Sequence, residues 1–329
     1  MTSPIKEHAH KKALITGITG QDAAYLSKLL ISKGYQLIGV CRKEGQSDFS
    51  RLTYLGIKDS IQFVECDLLN QGDCMEMIEQ YQPDEVYNLA AQSSVSSSFQ
   101  YPRVTIEFNI ISVLNLLEAI RMKSGQSRFY QASSSEMYGI VNQLPITIQS
   151  ILHPVSPYGI SKAAGHWLVS QYRESYHLFA VSGILFNHES FLRQDSFFVK
   201  KVITSAIRIR NGQQRDLRVG SIDIKRDFGS AKDYVEAIWL MLQHERPIDY
   251  LVCTGASISL RDIIHYVFDQ IGIDRKNIIS DSNLVRPSEI SDIYGDPSPI
   301  YRDLQWKASG DFYKVLDELI SEEMMNYGN

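Results

Sequence analysis

The run Lys12–Thr16 is short and β-rich, stops at Gly17, and gives way at once to Ala23–Gly34, where apolar residues recur at helical spacing up to a closing glycine. A strand, a glycine turn and a helix in that order form half of a crossover unit, the connection that parallel strands require. The pattern then repeats. Residues 35–41, 61–66, 85–90, 128–133 and 179–186 read as five more strands, and helices are predicted near 71–81, 103–123 and 157–176. Six such strands with intervening helices specify the α/β class: a Rossmann-like, doubly wound parallel sheet.

Beyond Asn187 the rhythm changes. Residues 196–213 read as a helix, followed by the segment 217–229, a further helix over 231–243 and a strand over 250–255. The expected organisation is a Rossmann-like dinucleotide-binding domain over 1–186, with later segments at about 230–260 returning to it, and a smaller substrate-binding lobe mainly over 187–329. Neither a low-complexity linker nor an internal repeat separates the two, so shared chain crossings are expected.

Composition excludes several classes. The 329 residues suit about two domains. Lys plus Arg number 33 against 38 Asp plus Glu, a formal charge of -5, and no segment concentrates the basic residues as nucleic-acid binding would require. No apolar run is long enough to span a bilayer, and the polar start MTSPIKEHAHKK lacks the core of a secretory signal, so a cytoplasmic protein is expected. His8 and His10 read as part of a polar tail. Cys41, Cys66, Cys74 and Cys253 show neither C-x-x-C spacing nor pairing with histidine, so buried thiols are expected and no metal site.

Gly17-Ile18-Thr19-Gly20-Gln21-Asp22-Ala23 lies where the first strand meets the first helix, the place where free backbone N–H groups receive a pyrophosphate. Gly17 suits the tight turn, Gly20 the close approach of backbone to phosphate, and Ala23 close packing of the helix. After the second strand, an acid that would bind the ribose hydroxyls of NAD is missing. Arg42 and Lys43 stand there instead, and the planar fork of Arg42 fits the 2′-phosphate of NADP.

Tyr158 and Lys162 are four apart, hence on one helix face, and an ammonium group beside a phenol lowers its pKa toward the range of a working base. Before them in the chain, Ser134 and Glu136 follow the fifth strand. If that strand persists, they project to one side. A hydroxyl, a carboxylate, a phenol and an ammonium at the cofactor end of a sheet offer groups for both hydride transfer and proton abstraction. The plain alternatives are a polar turn for the serines and a helix-start charge for Glu136.

The segments ALITGITGQD, PDEVYNLAAQS, RFYQASSSEMYG, SPYGISK, GILFNHES, KRDFGSAKDYVEA and RPSEISDIYGDP stand in the order and approximate spacing of the extended short-chain dehydrogenases. Within these the chain resembles the GDP-mannose 4,6-dehydratases, over most of its length. The resemblance implies that Gly17, Ile18, Thr19, Gly20, Gln21 and Asp22 hold the NADP pyrophosphate and Arg42 the 2′-phosphate. It places Asp67 and Leu68 on the adenine side, and Leu89, Ala90, Ala91, Gln92 and Ser93 on the ribose and nicotinamide side. Lys162, His188 and Arg193 also match cofactor positions. Ser134, Glu136, Tyr158 and Lys162 match the catalytic set, with Ser134 where the family usually has threonine. Asn187 matches a sugar or diphosphate contact. Arg226, Arg286 and Glu289 would complete a cradle for the nucleotide, two arginines clamping a diphosphate and a carboxylate accepting from ribose or guanine.

The implied activity is an NADP-dependent, hydro-lyase conversion of GDP-mannose, or of a GDP-manno-heptose relative, to the 4-keto-6-deoxy sugar, in a homodimer or homotetramer. Some positions depart from the family pattern. Ser94 replaces a histidine, Phe191 and Leu192 stand for proline and arginine, Val202 takes a basic position, and two loops are shorter. A reductase or 4-epimerase on the same scaffold would need Tyr158 and Lys162 but not Glu136. A non-catalytic dinucleotide sensor would need none of the four.

Overall fold

The computed structural model describes residues 11–327, so His8 and His10 lie outside the described residues. In chain order the first elements are β1 (Lys12–Thr16), α1 (Gln21–Ser32), β2 (Gln36–Cys41), α2 (Ser50–Tyr54), β3 (Ile61–Glu65), α3 (Gln71–Tyr81) and β4 (Glu85–Asn88). There follow α4 (Val95–Gln100), α5 (Pro102–Lys123), β5 (Arg128–Ser134), α6 (Pro157–Tyr176) and β6 (Ala180–Leu185). The later elements are β7 (Asn187–Glu189), α7 (Phe198–Arg210), β8 (Leu217–Val219), β9 (Lys225–Ser230), α8 (Ala231–Gln243), β10 (Tyr250–Val252), β11 (Ser257–Ser259), α9 (Leu260–Ile271), β12 (Ile278–Ser280), α10 (Ser298–Leu304) and α11 (Phe312–Tyr327).

The chain divides into two compact units. The first takes residues up to Gly139, Leu152–Ile184 and Val235–Tyr250; the second takes Ile140–Ile151, Leu185–Tyr234 and the chain from Leu251 onward. Residues 140–151, read from sequence as part of the first domain, therefore pack with the second unit.

The principal sheet has seven strands in the order β10-β6-β5-β4-β1-β2-β3. The sequence predicts six, and the seventh is the 250–255 run, shortened to three residues that are all buried. The pairings of β1 with β2 and β4, of β2 with β3 and of β4 with β5 are parallel. The chain reverses its direction of advance between β1 and β4, and in such a sheet ligands bind beyond the carboxyl ends of the strands at that switch. Leu14, Ile38, Val86 and Phe129 on the strands pack with Ile78, Val113 and Leu117 on α3 and α5. Burial on both faces explains why the strands read as continuous apolar runs.

In the second unit, β11, β9 and β7 form a three-stranded sheet and β12 pairs with β8. Val202 and Ile203 of α7, Val267 and Phe268 of α9 and Leu316 of α11 close its core over Phe228 of β9. The 217–229 segment, given no element from sequence, holds β8 and most of β9. The helices α9 and α11 add to the sequence expectation.

Candidate active site

β1 ends at Gly17, whose φ of +66° is a left-handed conformation that favours glycine. Space dictates the same choice, since a Cβ there would stand 2.9 Å from the Cα and N of Ala90. The N–H of Gly20 donates to the carbonyl of Gly17 at 2.8 Å and closes the turn. Gly20 is also the N-cap of α1 and makes no side-chain cap hydrogen bond, and it stands at a helix N-terminus, the kind of place where backbone N–H groups receive an anion. Ile18 and Ala23 are buried beneath the turn. Arg51, a residue the sequence does not single out, donates from Nη1 to the carbonyl of Thr19 at 3.0 Å and braces the loop from α2.

The other expected cofactor positions gather at the same ends of the strands. Arg42 is exposed directly after β2, and Asp67 and Leu68 follow β3, Leu68 buried and Asp67 accepting from the N–H of Leu69 at 3.0 Å. Leu89 to Ser93 follow β4. There the N–H of Gln92 donates to Asn109 Oδ1 at 2.8 Å, while Asn109 Nδ2 donates to the Gln92 carbonyl at 3.1 Å and to Ser161 Oγ at 2.9 Å. One buried asparagine on α5 thus ties this loop to α6.

β5 does not persist as far as Glu136. It ends at Ser134, and Ser135–Met137 form a short 3-10 turn. Ser134 Oγ accepts from the N–H of Glu136 at 3.3 Å, so the two residues are joined as a cap and its turn and not by strand alternation. The cause is local: a serine hydroxyl competes for backbone N–H groups at a strand end and starts a turn.

α6 begins under a similar cap. Ser156 Oγ accepts from the N–H of Gly159 at 3.0 Å, and Pro157 takes the first helical position, where no N–H is needed. That start places Tyr158 and Lys162 on one face. The Lys162 ammonium stands 5.7 Å from the centre of the Tyr158 ring and donates to the Ala132 carbonyl of β5 at 2.8 Å. Burial pushes Lys162 down to about 8, with the Asp22 carboxylate acting in the opposite direction. A Cβ on Gly159 would lie 2.6 Å from the Glu136 carbonyl oxygen, so the turn bearing Glu136 rests directly on the start of α6. Ser134, Tyr158 and Lys162 are each less than 10% exposed. The four residues expected to act together are therefore held by one strand end and one helix start.

The remaining expected residues lie in the second unit. Asn187 and His188 are on β7. His188 is buried, its Nδ1 2.7 Å from the Phe186 carbonyl and its ring 4.8 Å from that of Tyr234. Arg193 lies over Phe197 at 3.6 Å, with Nε 3.7 Å from Glu189 Oε2. Arg226 is buried and gives Nη1 to the carbonyls of Lys225 and Ile290 at 2.8 and 2.6 Å. Its Nη2 and the Nη1 of Arg286 each stand 3.9 Å from Glu289 Oε2, which places one carboxylate between two guanidinium groups of the same unit.

Sequence reasoning misses the residue after Arg226, which ties β9 to the backbone at 254–255. Asp227 is wholly buried and accepts from the N–H and hydroxyl of Thr254 and from the N–H of Gly255, at 2.7 to 3.0 Å. Burial pushes its carboxyl above the ordinary range, against the pull of these hydrogen bonds. The departures from the family pattern also find their places. Leu192 and Val202 are buried, and Phe191 lies under the ammonium of Lys200, which pairs with Glu323. Among the described residues no group of three or more His, Cys, Asp or Glu is arranged to hold a metal ion, and no helix is long and apolar enough to cross a membrane. All four cysteines are free and buried.

The strand order, the glycine turn and the Tyr158–Lys162 helix define an extended short-chain dehydrogenase/reductase. The family model described as GDP-mannose 4,6 dehydratase matches residues 14–319. GDP-mannose 4,6 dehydratase 2 of Arabidopsis thaliana is 39% identical, covering 95% of this chain and 87% of its own. The GDP-mannose 4,6 dehydratase of Cricetulus griseus is 36% identical, covering 97% and 93%. The chain belongs to the GDP-mannose 4,6-dehydratase family, whose members are hydro-lyases. Among solved structures, RMD from Pseudomonas aeruginosa complexed with NADPH aligns at a TM-score of 0.80 and 25% identity, over 96% of this chain and 99% of that one. DesIV, a dTDP-glucose 4,6-dehydratase from Streptomyces venezuelae, aligns at 0.86 and 20% identity over 96% and 98%, a likeness of fold.

Proposed function

We propose that this protein is an NADP-dependent GDP-mannose 4,6-dehydratase, with a GDP-manno-heptose as the nearest alternative substrate. The observation that carries the reading is the packing of the Glu136 turn on the start of the Tyr158–Lys162 helix, which sets a carboxylate-bearing turn against the pair that a reductase or 4-epimerase would use without it. The turn at Gly17, which any Cβ would fill, and the start of α1 fit a dinucleotide pyrophosphate. Arg42 provides the fork for a 2′-phosphate, Asp67 and Leu68 the adenine side, Leu89 to Ser93 the ribose and nicotinamide side, and His188 and Arg193 further contacts.

A nicotinamide dinucleotide held by these residues would supply hydride acceptance from C4 of the sugar and its return to C6. Tyr158 takes the proton of the C4 hydroxyl, its phenolate favoured by the Lys162 ammonium. The resulting ketone acidifies C5, from which Glu136 removes a proton. Glu136 and Ser134 then protonate the oxygen leaving C6 as water, which leaves a C5–C6 double bond. Return of the hydride to C6 and of a solvent-exchanged proton to C5, equal in number to the one Tyr158 took from the C4 hydroxyl, gives the 4-keto-6-deoxy sugar with no net change of redox state. Asn187, Arg226, Arg286 and Glu289 hold the nucleoside diphosphate. The exposed apolar side chains Val104, Ile160 and Trp167 on α5 and α6 support a homo-oligomer, dimer or tetramer, and the four free buried thiols suit a reducing cytoplasm.

The test is isotopic. Deuterium placed at C4 of GDP-mannose should appear at C6 of the product, and solvent deuterium should enter C5. Glu136→Gln should retain binding of both ligands and stop after oxidation at C4. A product that consumes stoichiometric NADPH, or undiminished turnover by Glu136→Gln, overturns the reading in favour of a reductase or epimerase.

A further inference from the structure

A line of polar side chains crosses the buried sheet of the first unit. Thr16, Asn88 and Gln131 occupy directly opposed positions on β1, β4 and β5, and none is more than 3% exposed. Their hydrogen bonds run in series. The N–H groups of Leu89 and Ala90 donate to Thr16 Oγ1 at 3.2 and 3.1 Å, and the Thr16 hydroxyl donates to Asn88 Oδ1 at 2.6 Å. Asn88 Nδ2 donates to Gln131 Oε1 at 2.8 Å, and Gln131 Nε2 donates to the Ala132 carbonyl at 3.1 Å. That carbonyl is also the acceptor for Lys162 Nζ.

Each side-chain amide uses its oxygen toward the glycine turn and its nitrogen toward Lys162. Apolar residues would fill these positions of a doubly covered sheet without the cost of burying two amides, so the line needs a reason beyond packing. Its two ends supply one. At one end it fixes the backbone of Leu89 and Ala90, against which Gly17 turns; at the other it fixes the acceptor that holds the ammonium of Lys162.

We propose that Gln131 is a positioning residue for the dehydratase reaction, holding the Ala132 carbonyl and hence Lys162 in register with the cofactor loop through Asn88 and Thr16. This rests on the reading of Lys162 as catalytic. A full series of directed hydrogen bonds in a low-dielectric interior is stiffer than its members taken singly, and losing one buried donor leaves the next group unmatched.

The experiment follows Lys162 by NMR of protein carrying 13Cε-lysine, with the signal assigned by its loss in Lys162→Arg, beside steady-state kinetics on GDP-mannose. Gln131→Met removes both hydrogen bonds at nearly constant volume, and should lower kcat about tenfold with KM for the GDP-sugar changed less than about threefold. Gln131→Glu keeps the acceptor for Asn88, removes the donor to Ala132 and brings a carboxylate toward the ammonium, so the titration of Lys162 should move upward by about one pH unit or more. A glutamine that only fills space would leave kcat of Gln131→Met near that of the wild type, since methionine has nearly the same volume. An unmoved Lys162 titration in Gln131→Glu, or kcat within about twofold of wild type in Gln131→Met, overturns the proposal. The NMR arm needs no turnover, so a protein that fails to dehydrate GDP-mannose refutes the functional reading while the coupling of Gln131 to Lys162 is still decided.

Discussion

Gly159 and Glu136 meet so closely that a Cβ on the glycine would stand 2.6 Å from the Glu136 carbonyl oxygen, nearer than such atoms come in folded proteins. The seating of the turn that bears Glu136 on the helix that bears Tyr158 therefore depends on the absence of one methyl group. Gly159→Val should displace the turn and lower kcat about tenfold or more, with NADP+ affinity nearly unchanged because the glycine turn at Gly17 is untouched. Paired turnover and cofactor titrations check this, and parallel losses in both would count against it.

On the proposed reading, cofactor choice depends on the exposed fork of Arg42. Calorimetry should show tighter binding of NADP+ than of NAD+, and Arg42→Ala should narrow the gap by about tenfold, the scale of a lost charge-assisted hydrogen bond. Equal affinities in the wild type would remove the claim.

Lys162 supplies a pH signature independent of turnover. Burial lowers it from 10.5 to about 8, so between those values the unfolded chain binds a proton that the folded chain has released. Stability then rises with pH across the window, and the burial cost is felt in full below about 8. Relative to Lys162→Met, the wild type should gain about 3 kcal/mol of unfolding free energy between pH about 8 and about 10.5. Urea melts of both proteins at stepped pH measure the difference, and a difference that stays constant contradicts it.

Arg286 shares the Glu289 carboxylate with Arg226 but is less deeply buried. Arg286→Ala should raise the dissociation constant for GDP about tenfold while leaving NADP+ binding unchanged. Titration of each ligand separates the two effects, and weakened NADP+ binding would move Arg286 out of the nucleotide cradle.

Much of the first unit is legible in sequence because each signal there is local. Gly17 ends a strand and Gly34 ends a helix within the same short window, and Tyr158 and Lys162 share a helix face at any register. The exceptions have physical causes. Glu136 sits on a turn and not on a prolonged strand because the Ser134 hydroxyl captures its N–H. Arg51 reaches the Thr19 carbonyl from a helix 32 positions along the chain, a distance no motif spans. Gln131 and Asn88 read as isolated polar residues in apolar strands until the pairing of β4 with β5 sets them side by side. Asp227 is an acid beside an arginine in sequence, and only its burial against Thr254 and Gly255 shows what it fastens.

The place of β10 beside β6 has a consequence for synthesis. Elongation delivers β6 well before its outer neighbour, and at about 5–20 residues per second the interval from Leu185 to Val252 is roughly 3 to 13 s. For that time the nascent sheet presents the open edge of a buried, apolar strand to whatever surrounds the ribosome. A slowed ribosome over the codons for residues 186–250 would lengthen the exposure. The yield of folded protein in a cell is thus tied to translation speed and to chaperone supply over that one stretch, while the stability of the finished molecule is unaffected.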